Sequence, residues 1–408
     1  MPLHETSSSI RFAFGKTGLY PQEEMLETAK SSKKLVIGLP REDEKKETRV
    51  CLTPEAVEVL RSYGHEVIIE SGAGKAAHYS DSDYSECGGI LVTDRHKVME
   101  ADIVLKVEPP SLDDIALMKG QQVLFSSLLA SRQSEAYLRA LMSKKITAVA
   151  FENIKDENDC YPVVRSMNAI AGTNAVLLAA EFLRTYHGGK GVLLGGVAGI
   201  TPVEVVIIGA GTAAESAVRA ARGLGAHIRV FDNSVHSLVQ LQNNLGQSLY
   251  TSVYHPRVLE KALRSADVLI GALQSNEKSP RFFVTEEMVK GMKKGSVIID
   301  ISIGQGDCIE TSEPIGVFDK PYLKHGVWHY CVTNMPACVA RTASIALSNV
   351  FMPLLLRVSE AGGFLQLLKT DRGLRNGVYI FNGILTNQYM GNYFNIPSKD
   401  INLLMAAF

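Results

Sequence analysis

Apolar residues come in short runs separated by polar, helix-periodic stretches for most of the chain. KLVIGLP (34 to 40), HEVIIE (65 to 70), ADIVLKV (101 to 107), QQVLFSSL (121 to 128) and ITAVAFE (146 to 152) are the length of buried strands. Between them, PEAVEVLRSYG (54 to 64) and SEAYLRALMSKK have helical spacing, the first closed by glycine. Strands alternating with helices predict a parallel sheet with helices on both faces. A second set follows. VVII (205 to 208), HIRVF (227 to 231), DVLIGAL (267 to 273) and SVIIDIS (296 to 302) read as strands of another sheet. NAIAGTNAVLLAAEFLRTYHGGKG (168 to 191) reads as a helix joining the two, and SIALSNVFMPLLLRVSEAG (344 to 362) as a long helix returning to the first. The pattern therefore predicts an α/β protein of two doubly wound parallel-sheet domains, the second a Rossmann domain, with a cleft between them. The expected boundaries are an extension over 1–33, a substrate domain from 34–161 plus 341–408, and a nucleotide domain over 162–340.

The second domain opens on a strand, a glycine turn, a helix and a strand ending on an acid. Gly209, Gly211 and Ala214 have G-x-G-x-x-A spacing directly after the apolar run. Gly209 suits the tight turn, Gly211 removes a side chain from the path of a pyrophosphate, and Ala214 lets the helix lie close to the strand. The helix from about Thr212 to Leu224 points its N-terminal amides at the phosphates. Asp232 ends the next strand, where a carboxylate meets the ribose hydroxyls and repels a 2′-phosphate. NAD is the expected cofactor. GKGVLLGGVAGITP (189 to 202) lacks the Gly-Lys-Ser/Thr ending of a phosphate loop and reads as a turn before the core strand.

Composition narrows the partners. A chain of 408 residues with 46% hydrophobic and 21% charged residues has ordinary globular make-up. Its formal net charge of −1 gives no electrostatic case for nucleic acid or an anionic membrane surface. The N-terminus lacks a signal-like apolar core or a membrane-spanning run, so a cytoplasmic protein without a membrane span is expected. Six cysteines without C-x-x-C spacing indicate neither a metal site nor a disulfide framework.

ETRVCLTPEAVEVLRSYGHEVIIESGAG, ADIVLKVEPP, GGKGVLLGGVAGITPVEVVIIGAGTA, MKKGSVIIDISIGQGDCIETSEP and YCVTNMPACVARTASIALSNVFMP resemble the alanine dehydrogenase and N-terminal transhydrogenase family over nearly the whole length after residue 34. The last stretch is more similar to alanine dehydrogenases, and the insertion that transhydrogenase subunits tend to carry is missing. The resemblance implies NAD-dependent oxidative deamination of L-alanine to pyruvate and ammonia, in a homo-oligomer: hexamers for alanine dehydrogenases, dimers for transhydrogenase subunits. It implies that Arg49 grips the substrate carboxylate and that Lys106, at the end of an apolar strand, contacts the substrate's oxygens. These are the chemistries a guanidinium fork and an ammonium supply. It also implies that Asn334 and Met335, in TNMP, lie against the nicotinamide ribose, and that Asn168 lies near the nicotinamide.

Two family residues are missing. The histidine expected a few residues after L-F has no counterpart in VLFSSLLASRQ, and there is no histidine between His96 and His187. The aspartate that precedes Q-G-G is Gly304 here, with Asp307 three residues on. Asp307, Glu108, or water ordered by Ser126 and Ser127 are the candidate substitutes, Asp307 foremost. The same pattern also suits an NAD(H) oxidoreductase of another amino or imino acid, or an NAD-binding protein with little catalysis.

Overall fold

The computed structural model describes residues 32–128, 133–273, 283–304 and 306–407. All but the last two residues of the N-terminal extension and most of the LLASRQ stretch lie outside them. The first sheet is built from β1 (Val36–Leu39), β2 (Glu66–Glu70), β3 (Ile90–Val92), β4 (Ile103–Leu105), β5 (Val123–Ser126) and β6 (Thr147–Ala150). The second takes β7 (Glu204–Ile208), β8 (His227–Phe231), β9 (Tyr250–Ser252), β10 (Val268–Gly271), β11 (Val297–Asp300), β12 (Tyr322–Lys324) and β13 (Val327–Tyr330). The chain then returns to the first sheet with β14 (Val378–Phe381) and β15 (Ile384–Leu385).

The two sheets share one topology. The orders are β3-β2-β1-β4-β5-β6-β14-β15 and β9-β8-β7-β10-β11-β13-β12. Each reverses direction between its first and fourth strands, which opens a crevice at the strand carboxyl ends. Both sheets are dominated by parallel strands, as expected, with antiparallel strands added at one side of each. β14 runs antiparallel to β6, β15 to β14, and β12 to β13. β15 and β12 are joined to their neighbours by tight hairpins, which cannot make the long crossover a parallel neighbour needs, and β14 enters beside β6 on the chain's return to the first sheet.

Burial follows the period. Central strands β4, β6, β10 and β11 are buried on both faces, as apolar runs covered by helices should be. The connecting helix spans Pro162–Phe182, starting six residues before the expected position on a proline at its first turn. It packs on the glycine-turn helix Thr212–Gly223 and on the returning helix Ala340–Glu360. Gly172 makes the first crossing possible, because a Cβ there would run into the Ala213 carbonyl oxygen. Among the described residues, two helices are long and apolar enough to cross a membrane, Pro162–Phe182 and Met335–Glu360. Both lie at the junction of the domains, with residues such as Ala175, Ala179, Leu347 and Phe351 fully buried.

Candidate functional site

A cleft of about 1050 Å³ opens at the carboxyl ends of β7, β8, β10 and β11. Gly209, Gly211, Asp232, Asn168 and Ser302 are among the residues that line it. The two glycines have different reasons to be there. Gly209 has φ +108°, and a Cβ would sit 2.5 Å from the Ala272 carbonyl oxygen, so the turn and the approach of the β10 loop require glycine. Gly211 has ordinary φ −81° and nothing within 4 Å of where its Cβ would be. No protein atom needs that space. It faces the cleft at the N-cap of a twelve-residue helix whose amides meet the same opening, the arrangement that accommodates a pyrophosphate. Ala214 is fully buried among Val205, Ile207 and Ala217, beneath the cleft floor.

Asp232 follows β8 directly. Its Oδ2 accepts from the Ala210 amide at 2.8 Å and its Oδ1 from the Ser234 amide at 2.7 Å, so the carboxylate braces the glycine turn while lining the cleft. Cleft shape, open glycine and braced acid together fit a dinucleotide.

The second part of the site belongs to the first sheet. β1 and β4 are the neighbouring strands at its reversal point, and the residues just beyond them carry Glu42 and Lys106. Lys106 Nζ donates to Glu42 Oε2, and Glu42 Oε1 accepts from the Val107 amide at 2.6 Å. Both side chains are buried, at 7% exposure. Burial pushes the Glu42 carboxyl up to about 7, against the pull of Lys106 and with the help of the Glu47 charge.

Arg49 lies on the same loop. Its Nε and Nη2 donate to Glu47 Oε1 and Oε2 at 2.8 and 2.7 Å, a two-point pair with the Glu47 side chain only 1% exposed. Its Nη1 rests 3.3 Å from Met167 Sδ, one residue before Asn168 of the cleft. Burial works to raise the Glu47 carboxyl, but the Arg49 charge and hydrogen bonds outweigh it and hold it below the ordinary carboxylate range. The Nε edge of the guanidinium is therefore already occupied by a neighbouring acid of the same charge run. What remains for an external carboxylate is the Nη1/Nη2 end.

Asn334 joins the two parts. Its Nδ2 donates to Glu47 Oε2 at 2.8 Å, and it does not cap the following turn. Beside it, Thr48 Oγ1 donates to the Ala337 carbonyl at 2.6 Å, and the Val50 amide to Ser344 Oγ at 2.9 Å. The loop bearing Arg49 is thus bound to the segment that follows β13.

Other expected residues fall elsewhere. Met335 is 2% exposed and packs in the core of the second domain, so it is not a cleft residue. Asp307 does not line the cleft: its Oδ1 accepts from the Gly304 amide at 2.8 Å, so the carboxylate closes its own turn, with φ +44°. Ser127 Oγ donates to the Val107 carbonyl at 2.9 Å, and Ser126 is fully buried beside Tyr137 and Tyr379, so neither faces the cleft. Glu42 and Glu47 escape a sequence reading because REDEKKETR looks like one solvated charge run. In the structure its flanking residues Arg41, Asp43, Glu44, Lys45 and Lys46 are exposed and only these two acids turn inward.

The models described as alanine dehydrogenase/PNT, N-terminal domain and C-terminal domain match residues 38–171 and 175–388. An alanine dehydrogenase of Staphylococcus saprophyticus is 37% identical over 369 residues, covering 90% of this chain and 99% of that protein. Alanine dehydrogenase 2 of Staphylococcus aureus is likewise 37% identical, over 90% of this chain and 98% of its own length. A solved L-alanine dehydrogenase superposes with a TM-score of 0.82 at 35% identity, over 88% of this chain and 99% of that one. A transhydrogenase from Sinorhizobium meliloti has a TM-score of 0.72 at 24% identity, covering 87% and 99%, and shares the fold. The chain belongs to the alanine dehydrogenase/PNT family.

Proposed function

We propose that this protein oxidatively deaminates a small L-amino acid with NAD, converting L-alanine, NAD and water to pyruvate, ammonia and NADH. The observation that carries the reading is the position of Arg49 and Lys106. Arg49 is bound through Glu47 and Asn334 to the segment that follows β13, and Lys106 is buried against Glu42 at the reversal point of the same sheet. The bound dinucleotide supplies the hydride acceptor. Gly211 and the helix N-terminus leave room and amides for its pyrophosphate, and Asp232 offers an acceptor to the adenosine ribose. Asn168 lines the cleft from the connecting helix, where its amide can donate and accept.

The Nη1/Nη2 end of Arg49, where Nη1 rests against the Met167 sulfur, takes the substrate carboxylate in place of that weak contact, and the Lys106 ammonium stabilises negative charge that builds on a substrate oxygen. We assign residues 34–161 with 341–408 to the substrate domain and 162–340 to the nucleotide domain. A homo-oligomer in the cytoplasm is part of the same reading, supported by family membership and by six free thiols.

The deciding experiment is NADH formation with a panel of L-amino acids at high pH. Turnover highest with L-alanine supports the proposal. Turnover only with another amino acid moves the substrate, and NADH binding without turnover leaves a nucleotide-binding protein.

A further inference from the structure

The reaction needs a proton carrier, and the groups expected to supply it are absent or turned away. Gly304 stands where the family has an acid, and Asp307 is bound to its own loop. The described part of the site nonetheless holds two buried carboxyl groups on these cations, Glu47 on Arg49 and Glu42 on Lys106. Glu42 is buried, its Oε2 is joined to Lys106 Nζ, and its Oε1 is fixed by the Val107 amide, so the side chain has one orientation. The charged and titratable groups around it are Lys106 from the β4 side and Glu47, Arg49 and Cys51 from its own loop. Arg49 is neutralised by Glu47, which leaves Glu42 and Lys106 as a pair.

Resting on the functional reading above, we propose that Glu42 is the proton store of this site, exchanging protons with the substrate through Lys106. Loss of hydride from the neutral amine leaves an iminium, and when the water oxygen bonds to the iminium carbon the C=N electron pair moves to nitrogen. The water proton passes to Lys106 Nζ as Nζ passes one of its own to Glu42 Oε2, so Lys106 stays an ammonium and Glu42 becomes neutral. The proton returns by the same route to the carbinolamine nitrogen. The C–N bond then breaks with its electron pair on the departing ammonia, the C=O bond forms, and the hydroxyl proton goes to Glu42 and out to solvent. Glu42 acts through Lys106 and is a positioning residue. A carboxyl held near neutrality suits both directions of transfer.

The test uses Glu42→Gln and Glu42→Asp. In the protein without nucleotide, ¹³C NMR of glutamate carboxyls should show one group titrating near neutral pH that disappears in Glu42→Gln. In turnover, Glu42→Gln should lower kcat by roughly 10² or more and remove the corresponding ionisation from the pH profile, with NADH binding and substrate KM little changed. Glu42→Asp, which keeps the charge if the glutamine variant folds poorly, should retain an ionisation at a displaced pH. A turning-over wild type whose Glu42→Gln variant keeps the full profile, or which lacks the neutral carboxyl, overturns this proposal alone. A wild type that turns over no amino acid overturns the functional reading and this one with it.

Discussion

Asn334 Nδ2 donates to Glu47 Oε2 at 2.8 Å, a hydrogen bond between residues 287 apart in sequence that fixes the Arg49 loop against the segment after β13. The same carboxylate accepts from Arg49 on both oxygens, so one buried acid orients the guanidinium and ties its loop to the segment after β13.

Glu47→Gln should therefore be more damaging than Asn334→Ala. The glutamine leaves a buried guanidinium without its counter-charge, a loss of about 3 kcal/mol in stability, and frees Arg49 to rotate, raising substrate KM. Asn334→Ala removes one hydrogen bond to a charged group, about 1.5 kcal/mol. Urea unfolding and KM on both variants check the order; a reversed order, or an unchanged KM in both, would sink the orienting role.

The two cleft glycines should separate folding from binding. Gly209→Ala forces a side chain into φ +108° against the Ala272 carbonyl and should destabilise the protein by about 2 kcal/mol or more. Gly211→Ala meets no protein atom and should stay within about 1 kcal/mol of wild type. It should still weaken NADH roughly tenfold, a difference of about 1.4 kcal/mol. Thermal melts with NADH titrations on the two variants show whether the open space serves a ligand.

Asp232→Ala should weaken NAD at least roughly tenfold and leave NADP unchanged or improved, since it removes a ribose acceptor and a repulsive charge together. The substitution also strips the Ala210 and Ser234 amides of their acceptor. Equal losses for NADH and NADPH by fluorescence titration would mean that the loosened turn, and not ribose recognition, accounts for the effect.

His329 makes stability fall in acid. It is fully buried, its Nε2 accepts from Thr311 and its Nδ1 donates to the Val327 carbonyl, and burial lowers it to about 4. Because the folded value lies below the unfolded one, the neutral ring contributes fully above pH 6.5. That contribution is lost progressively as pH falls from 6.5 to about 4, on the order of 3 kcal/mol in all. Urea midpoints from pH 7.5 to 4.5 should fall less steeply in His329→Gln than in wild type. Parallel slopes would assign the acid sensitivity to other groups.

Contiguous features were legible in the chain because their causes are local. The run Val205–Ile208, the turn at Gly209 and Gly211, the helix and Asp232 are adjacent in sequence, and period, sterics and helix polarity set each one. The two-residue strand β15 and the three-residue strands β9 and β12 were not legible, since so few residues show no period.

In the site, the sequence by itself determined the glycine turn and the acid at its end and, through family resemblance, pointed to Arg49 and Lys106. Only the tertiary structure decided that Arg49 is already paired on one edge, that Met335 is core, and that Asp307 binds its own loop. It also decided which acids of a uniform charge run are buried. Glu42 meets Lys106 across 64 residues because β1 and β4 become neighbours in the sheet, and desolvation by that packing raises its carboxyl. Burial is a property of what the chain folds against, and no local pattern of charges encodes it.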